Sequence, residues 1–166
     1  VRHHFNPAQL KLVRQASQRA AELVTDYYRI APREWENMRY EIRTLRALAP
    51  SEITDAALAQ VLCYDFKRQL GQTLLDQGEI YRICLQDHRI LGAAKIHGIQ
   101  LEPLLVHVIT HELVHVVRFG QRLQKIDLPE ELRRYEERCV ENTTRNILIR
   151  AGHLPISPAL KPAEFC

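Results

Sequence analysis

The chain has 166 residues, 46% of them hydrophobic, enough for one domain with its own core and too few to argue for two. Its 23 basic and 20 acidic residues leave a formal net charge of +3 and are dispersed without a block of one sign, which excludes the concentrated basic footprint of a nucleic-acid-binding surface. Cys63, Cys84, Cys139 and Cys166 are far apart and form no Cys-x-x-Cys pair; that excludes a zinc ribbon or redox motif and favours reduced thiols in a cytoplasmic protein.

Taken in chain order, residues 1–70 read as a helical N-terminal layer. Asn6-Pro7 supplies an N-cap followed by proline at the first helical position, and Leu10, Val13, Ala16, Ala20 and Val24 recur at helical spacing. A second helix is predicted over 32–48, and a third from Ser51, where Ser-Glu-Ile-Thr resembles a cap, to about Leu70. After Gly71 the character changes. Residues 80–86 alternate and are enriched in Ile and Tyr, which suits a strand, with Asp87-His88 as a candidate hairpin turn. The small sheet so formed precedes a strongly apolar segment.

That segment, 103–119, is β-branched enough to favour a strand by propensity, but about 17 uninterrupted residues exceed the usual strand of about 5 or 6. Pro103 at a first-turn position and Gly120 at the far end punctuate a helix. At nearly membrane-spanning length it still carries His107, His111, Glu112 and His115 in its middle, so it is predicted to be a buried helix of a protein without a membrane span. A last helix is expected from 128 or 129 to 151, closing at Gly152, and the three prolines in 153–166 read as an extended tail.

Two histidines and a glutamate in an apolar helix are costly to bury unless something satisfies them. On a helix, residues four apart share a face, so His111 and His115 present two imidazoles to one point while Glu112 projects beside it. On a strand they would stand about 13 Å apart and could not share an ion. The His-Glu-x-x-His pattern is a zinc-site arrangement in which the histidines are ligands and the glutamate is a general base. His107 lies two turns, about 12 Å, from His115, too far to join both on one ion, and is read as a packing or ligand-supporting histidine.

A catalytic zinc takes three protein ligands and keeps a fourth position for water. The following helix offers the third. Glu130 and Glu131 near its start suit the helix dipole. Glu137 heads a semi-apolar face with Val140, Thr144, Ile147 and Leu148, and Glu141 lies one turn on, placed to accept the outer N–H of a ligating imidazole. Glu136 is the alternative, in line with Cys139, Thr143 and Ile147. Glu137 is preferred because it gains an acidic partner four residues on.

His111-Glu112-Leu113-Val114-His115 with a glutamate on a following helix resembles the gluzincin branch of the zincin metallopeptidases, particularly its minimal, SprT-like or anti-repressor-cleaving members. The matched stretch is 80–149. In those families the second motif is often Glu-x-x-Ala-Asp or Glu-x-x-Ala-Asn; here Glu137-Arg138-Cys139-Val140-Glu141 has Val for Ala and Glu for Asp. The resemblance implies one α+β domain, mainly helical and zincin-like, with its core over 71–152. It also implies a Zn2+ cofactor and hydrolysis of a peptide or protein substrate with Glu112 as the base. The strand over 80–86 would hold the extended peptide at a sheet edge, and Tyr135, His153 and Arg118 are candidate donors to the developing oxyanion. Two alternatives stand beside it: a binding module on a scaffold without catalysis, and a DNA-associated SprT-like protease using Arg2, Lys11, Arg14, Arg19, Arg43 and Arg46. Those cations are interleaved with acids, so nucleic acid is the weaker expectation.

Overall fold

In a computed structural model, the structure describes residues 1–123, 127–153 and 156. The predicted tail lies outside them, apart from His153 and Ile156. The elements are α1 (Pro7–Tyr28), α2 (Pro32–Asn37), β1 (Tyr40–Arg43), β2 (Ala59–Leu70), β3 (Thr73–Leu85), α3 (Asp87–His97), α4 (Leu101–Gly120) and α5 (Glu130–Arg150), with short 3-10 turns at Leu45–Ala47 and Pro50–Glu52. This is the α+β class expected. None of the described helices is long and apolar enough to cross a membrane.

The start of α1 is set locally. The Asn6 side chain accepts from the Gln9 N–H and the Gln9 side chain accepts from the Asn6 N–H, both at 2.9 Å, a reciprocal capping box. Val13, Ala16, Ala20, Leu23 and Val24 form its buried stripe, and the small alanines let α1 lie close against α4.

Residues 32–70 depart from the predicted helices. The helix begun at Pro32 stops at Asn37, and Tyr40–Arg43 is a strand. Its period is two: Tyr40 and Ile42 turn to the core opposite Tyr81 and Ile83, while Glu41 pairs opposite Arg82. The segment predicted as helical from Ser51 to Leu70 makes only a single 3-10 turn before β2 begins at Ala59. Alternation of Ala59, Val61 and Cys63 against Leu85, Ile83 and Tyr81 gives it a core face, and this pairing overrides helix propensity. The hairpin turn is at Gly71 and Gln72, not at Asp87-His88: Leu70 pairs with Thr73, and Gly71 takes φ +60°, the left-handed conformation that glycine supplies in two-residue hairpin turns.

Asp87 instead opens α3. Buried at the helix start, its carboxylate accepts the Phe5 N–H at 2.9 Å and the Leu45 N–H at 2.8 Å, so it ties two distant loops to the positive end of α3. The sheet order is β1-β3-β2, with β1 parallel and β2 antiparallel to β3. The predicted strand over 80–86 is therefore central where β1 covers it, between Tyr81 and Cys84, and offers no free edge there; the outer edges belong to β1 and β2.

Behind the sheet, Glu52 is 1% exposed. One of its oxygens accepts from the Tyr64 hydroxyl at 2.7 Å and from Arg82 at 2.6 Å, and the other from the Ala49 N–H at 2.8 Å. Burial alone would raise its pKa. These donors outweigh burial and bring the carboxyl down to about 2.

Candidate metal centre

Helix α4 is buried along nearly its whole length, from Leu104 to Val117, between the sheet and the α1, α3 and α5 helices. A helix enclosed on all sides is apolar on all sides, which explains the membrane-like composition. Within it His111, Glu112 and His115 are 1%, 2% and 7% exposed. The His111 and His115 rings, one turn apart, meet edge to face with centroids 5.0 Å from each other.

Helix α5 crosses at this level and brings Glu137 between the rings. His111 Nε2 is 3.3 Å from Glu137 Oε2, and His115 Nε2 is 3.2 Å from Glu137 Oε1. The three candidate ligand atoms lie within 4.8 Å of one another. Two ligands on a tetrahedral zinc with bonds of about 2.0 Å stand about 3.3 Å apart, so the two histidine–Glu137 spacings suit such an ion. Glu137 Oε2, buried and 3.3 Å from His111, meets no strict hydrogen-bond geometry among the described residues, so the cluster could hold a metal ion.

Glu141 holds the other side of His111. Its Oε2 is 3.2 Å from His111 Nδ1 and 3.4 Å from His107 Nε2, and its Oε1 accepts from Arg145 Nε at 2.8 Å. A carboxylate on Nδ1 fixes the tautomer that leaves Nε2 for a ligand role. His107 thus supports the site through Glu141, as its distance from His115 requires.

The electrostatics follow from burial and opposed charge. For Glu137 and Glu141, burial pushes the carboxyls up, but the facing imidazoles, joined at Glu141 by Arg145, hold both well below the usual range. Burial depresses His111, yet the two carboxylates lift it to about 9. Glu112 moves the opposite way from the other acids: burial raises its carboxyl, only partly offset by His111 and His115. A raised carboxyl is a better proton acceptor.

Among the predicted residues, His111, Glu112, His115, Glu137 and Glu141 come together. Glu136 does not. It accepts from Arg118 Nε at 3.0 Å and Nη2 at 2.6 Å, because its position on α5 faces the last turn of α4 rather than the histidines. That pairing also occupies Arg118, one of the candidate oxyanion donors. Tyr135 is 56% exposed, and the described contact of His153 is a backbone bond from its N–H to the Leu148 carbonyl; neither is brought into the cluster. Glu130 pairs with Arg134 at 2.5 Å on the exposed start of α5. Of the six cations considered for DNA, Arg2, Arg19 and Arg43 are paired with Asp55, Glu22 and Glu41. Cys63, Cys84 and Cys139 are free thiols.

Three features escaped the sequence reading. Arg145 is one helical turn beyond Glu141, so its contact was legible as an i, i+4 pair. The Arg118–Glu136 clamp depends on how α4 and α5 cross. The stack running from His115 to Phe119 to Tyr81, with centroids 5.9 and 6.0 Å apart, joins the site to the central strand; its first step is another i, i+4 pair, while nothing local signals the contact with Tyr81. No family model, curated protein or solved structure matches the chain.

Proposed function

We propose that the protein is a zinc-dependent metallopeptidase of the gluzincin kind, with His111, His115 and Glu137 as the metal ligands. The observation that carries this is the convergence of those three side chains beside Glu112 on the same helical turn, whose carboxyl burial raises. A zinc ion held by His111, His115 and Glu137 would supply an acidified water, with a pKa of about 7, and a Lewis acid for the scissile carbonyl. Glu112 accepts the proton of the attacking water and returns it to the leaving amine. Glu141 keeps His111 oriented throughout, with His107 and Arg145 holding Glu141 in turn. Because β1 covers β3 over Tyr81–Cys84, nearest the site, the extended substrate belongs on an outer strand, and β2 is the outer strand that packs against α4. Its free edge offers unpaired backbone groups to an incoming strand.

Two measurements test the proposal together. Metal analysis of the purified protein should find about one zinc per chain, lost in Ala variants of His111 or His115. In peptide-library digestion, Glu112→Gln should keep the metal and abolish cleavage. A Glu112→Gln protein that cleaves as well as the parent removes the assigned base. A parent that holds zinc tightly and cleaves nothing favours a binding module instead.

A further inference from the structure

The metal centre is closed in by protein. His111 Nε2 and Glu137 Oε2 are both buried from solvent, and α4 is covered along its middle by the sheet and by α1, α3 and α5. A metal site needs an entry path. The first half of α5 encloses this one while being uncovered itself: residues 130–135 are exposed, Leu132 and Tyr135 among them. The buried residues of α5 begin at Val140 and continue with Glu141, Thr144, Ile147 and Leu148.

Two side chains hold this half against α4. Glu136 accepts from Arg118 Nε at 3.0 Å and Nη2 at 2.6 Å, and Glu137 lies between His111 and His115. Just beyond them the helix is softened. Thr143 Oγ1 donates to the Cys139 carbonyl at 2.9 Å, and Thr144 Oγ1 to the Val140 carbonyl at 2.8 Å. Each hydroxyl shares a carbonyl that the helical N–H of the same residue also uses, and such back-bonding weakens and bends helices. Past that turn, Ile147 and Leu148 are in the core, and the Arg150 guanidinium lies over the Tyr27 ring of α1, 5.2 Å from its centre. The second half is thus anchored independently of the metal centre.

We infer that the first half of α5 is a hinged cover: latched to α4 by Arg118 and Glu136 and pivoting at Cys139 and Val140, it swings aside to admit an ion to the two histidines. Glu137 rides on the cover, so closing brings the third ligand in together with the latch. Glu141 lies past the pivot and stays on His107 and His111 while the cover is open, which keeps the His111 ring oriented. Opening breaks one ion pair and leaves the core contacts of Val140, Ile147 and Leu148 in place, so it is a local event well below global unfolding. That an ion passes rests on the zinc reading of the site; the hinge rests on the packing of α5.

The test reads metal exchange in both directions. Uptake of zinc by the metal-free full chain is followed by stopped flow with a fluorescent zinc indicator, and release with excess chelator. Removing a latch speeds entry and exit together, whereas removing a residue that only aligns Glu137 speeds exit alone. Arg118→Met should therefore raise the uptake rate about fivefold, the scale of one partly exposed ion pair, and the release rate by at least as much. Glu136→Gln, which keeps the side chain's size, should do likewise and serves if Arg118→Met does not fold. Thr143→Ala with Thr144→Val frees the two shared carbonyls and should slow uptake below the parent's rate. In the metal-free chain, hydrogen exchange at amides 141–144, which bridge the pivot, should quicken about fivefold in Arg118→Met while 147–150 stay as in the parent. Release accelerated without uptake, or exchange unchanged at 141–144, overturns the cover. A parent that takes up no zinc overturns the metal reading and the ion's passage with it, and exchange at 141–144 then decides the hinge by itself.

Discussion

At the proposed zinc site, Glu141→Gln separates orientation of a metal ligand from provision of one. The carboxylate sits 3.2 Å from His111 Nδ1 and is itself held by His107 at 3.4 Å and Arg145 at 2.8 Å. Glutamine keeps the size and one acceptor oxygen. It removes the negative charge that raises imidazole basicity, and it must turn an NH2 group toward either the histidines or Arg145. Loss of such a supporting carboxylate costs about 10- to 100-fold in metal affinity, about 1.4–2.8 kcal/mol. Zinc affinity should be measured at pH 7.5 by competition with a chromogenic chelator, with far-UV circular dichroism confirming the fold. The expected order is parent, then Glu141→Gln, then Glu137→Ala, the last weakest because a ligand atom itself is gone. A Glu141→Gln affinity within about threefold of the parent's, alongside a large loss in Glu137→Ala, would refute the orienting role while leaving the ligand set intact.

Other perturbations probe the surrounding frame. Glu52 titrates at about 2 in the fold against an ordinary 4.5; its stabilisation is therefore complete above pH 4.5 and lost as pH falls toward 2, with on the order of 3 kcal/mol at stake. Denaturant unfolding of Glu52→Gln should show a deficit at pH 7 that narrows below pH 4, and a deficit unchanged with pH would contradict this. Gly120→Ala places a Cβ 2.6 Å from Met38 Sδ, an overpacking worth about 1–3 kcal/mol and so a Tm lower by roughly 2–10 °C; an unchanged melting curve would show that Met38 yields freely. Arg118→Met breaks the clamp on Glu136 and should weaken zinc about fivefold by loosening the crossing that delivers Glu137. The reversed pair, Arg118→Glu with Glu136→Arg, should recover most of that, and equal zinc binding by parent and Arg118→Met would leave the clamp without a role at the site.

The elements differ in how readable they were, and for physical reasons. The Asn6 cap, the stripe on α1, the α4 helix and the start and end of α5 rest on spacings within one or two turns, which the chain sets locally. Residues 38–70 misled because charged, helix-favouring residues such as Arg39, Glu41 and Arg43 fill one face of a strand whose partner lies about forty positions away. Asp87 looked like a turn residue because its short carboxylate suits turns; its two acceptor bonds to the Phe5 and Leu45 amides are long-range and invisible to local pattern.

His111, Glu112 and His115 were fixed by the sequence alone, since a helix converts a four-residue interval into one shared face. The one-turn relation of Glu141 to Glu137 was fixed in the same way. Which glutamate meets the imidazoles was a tertiary decision: Glu136 and Glu137 are adjacent, about 100° apart around α5, and only the crossing of α4 and α5 sends one to the histidines and the other to Arg118. The order of the sheet was likewise decided in three dimensions, because strand pairing joins residues that local propensity cannot connect.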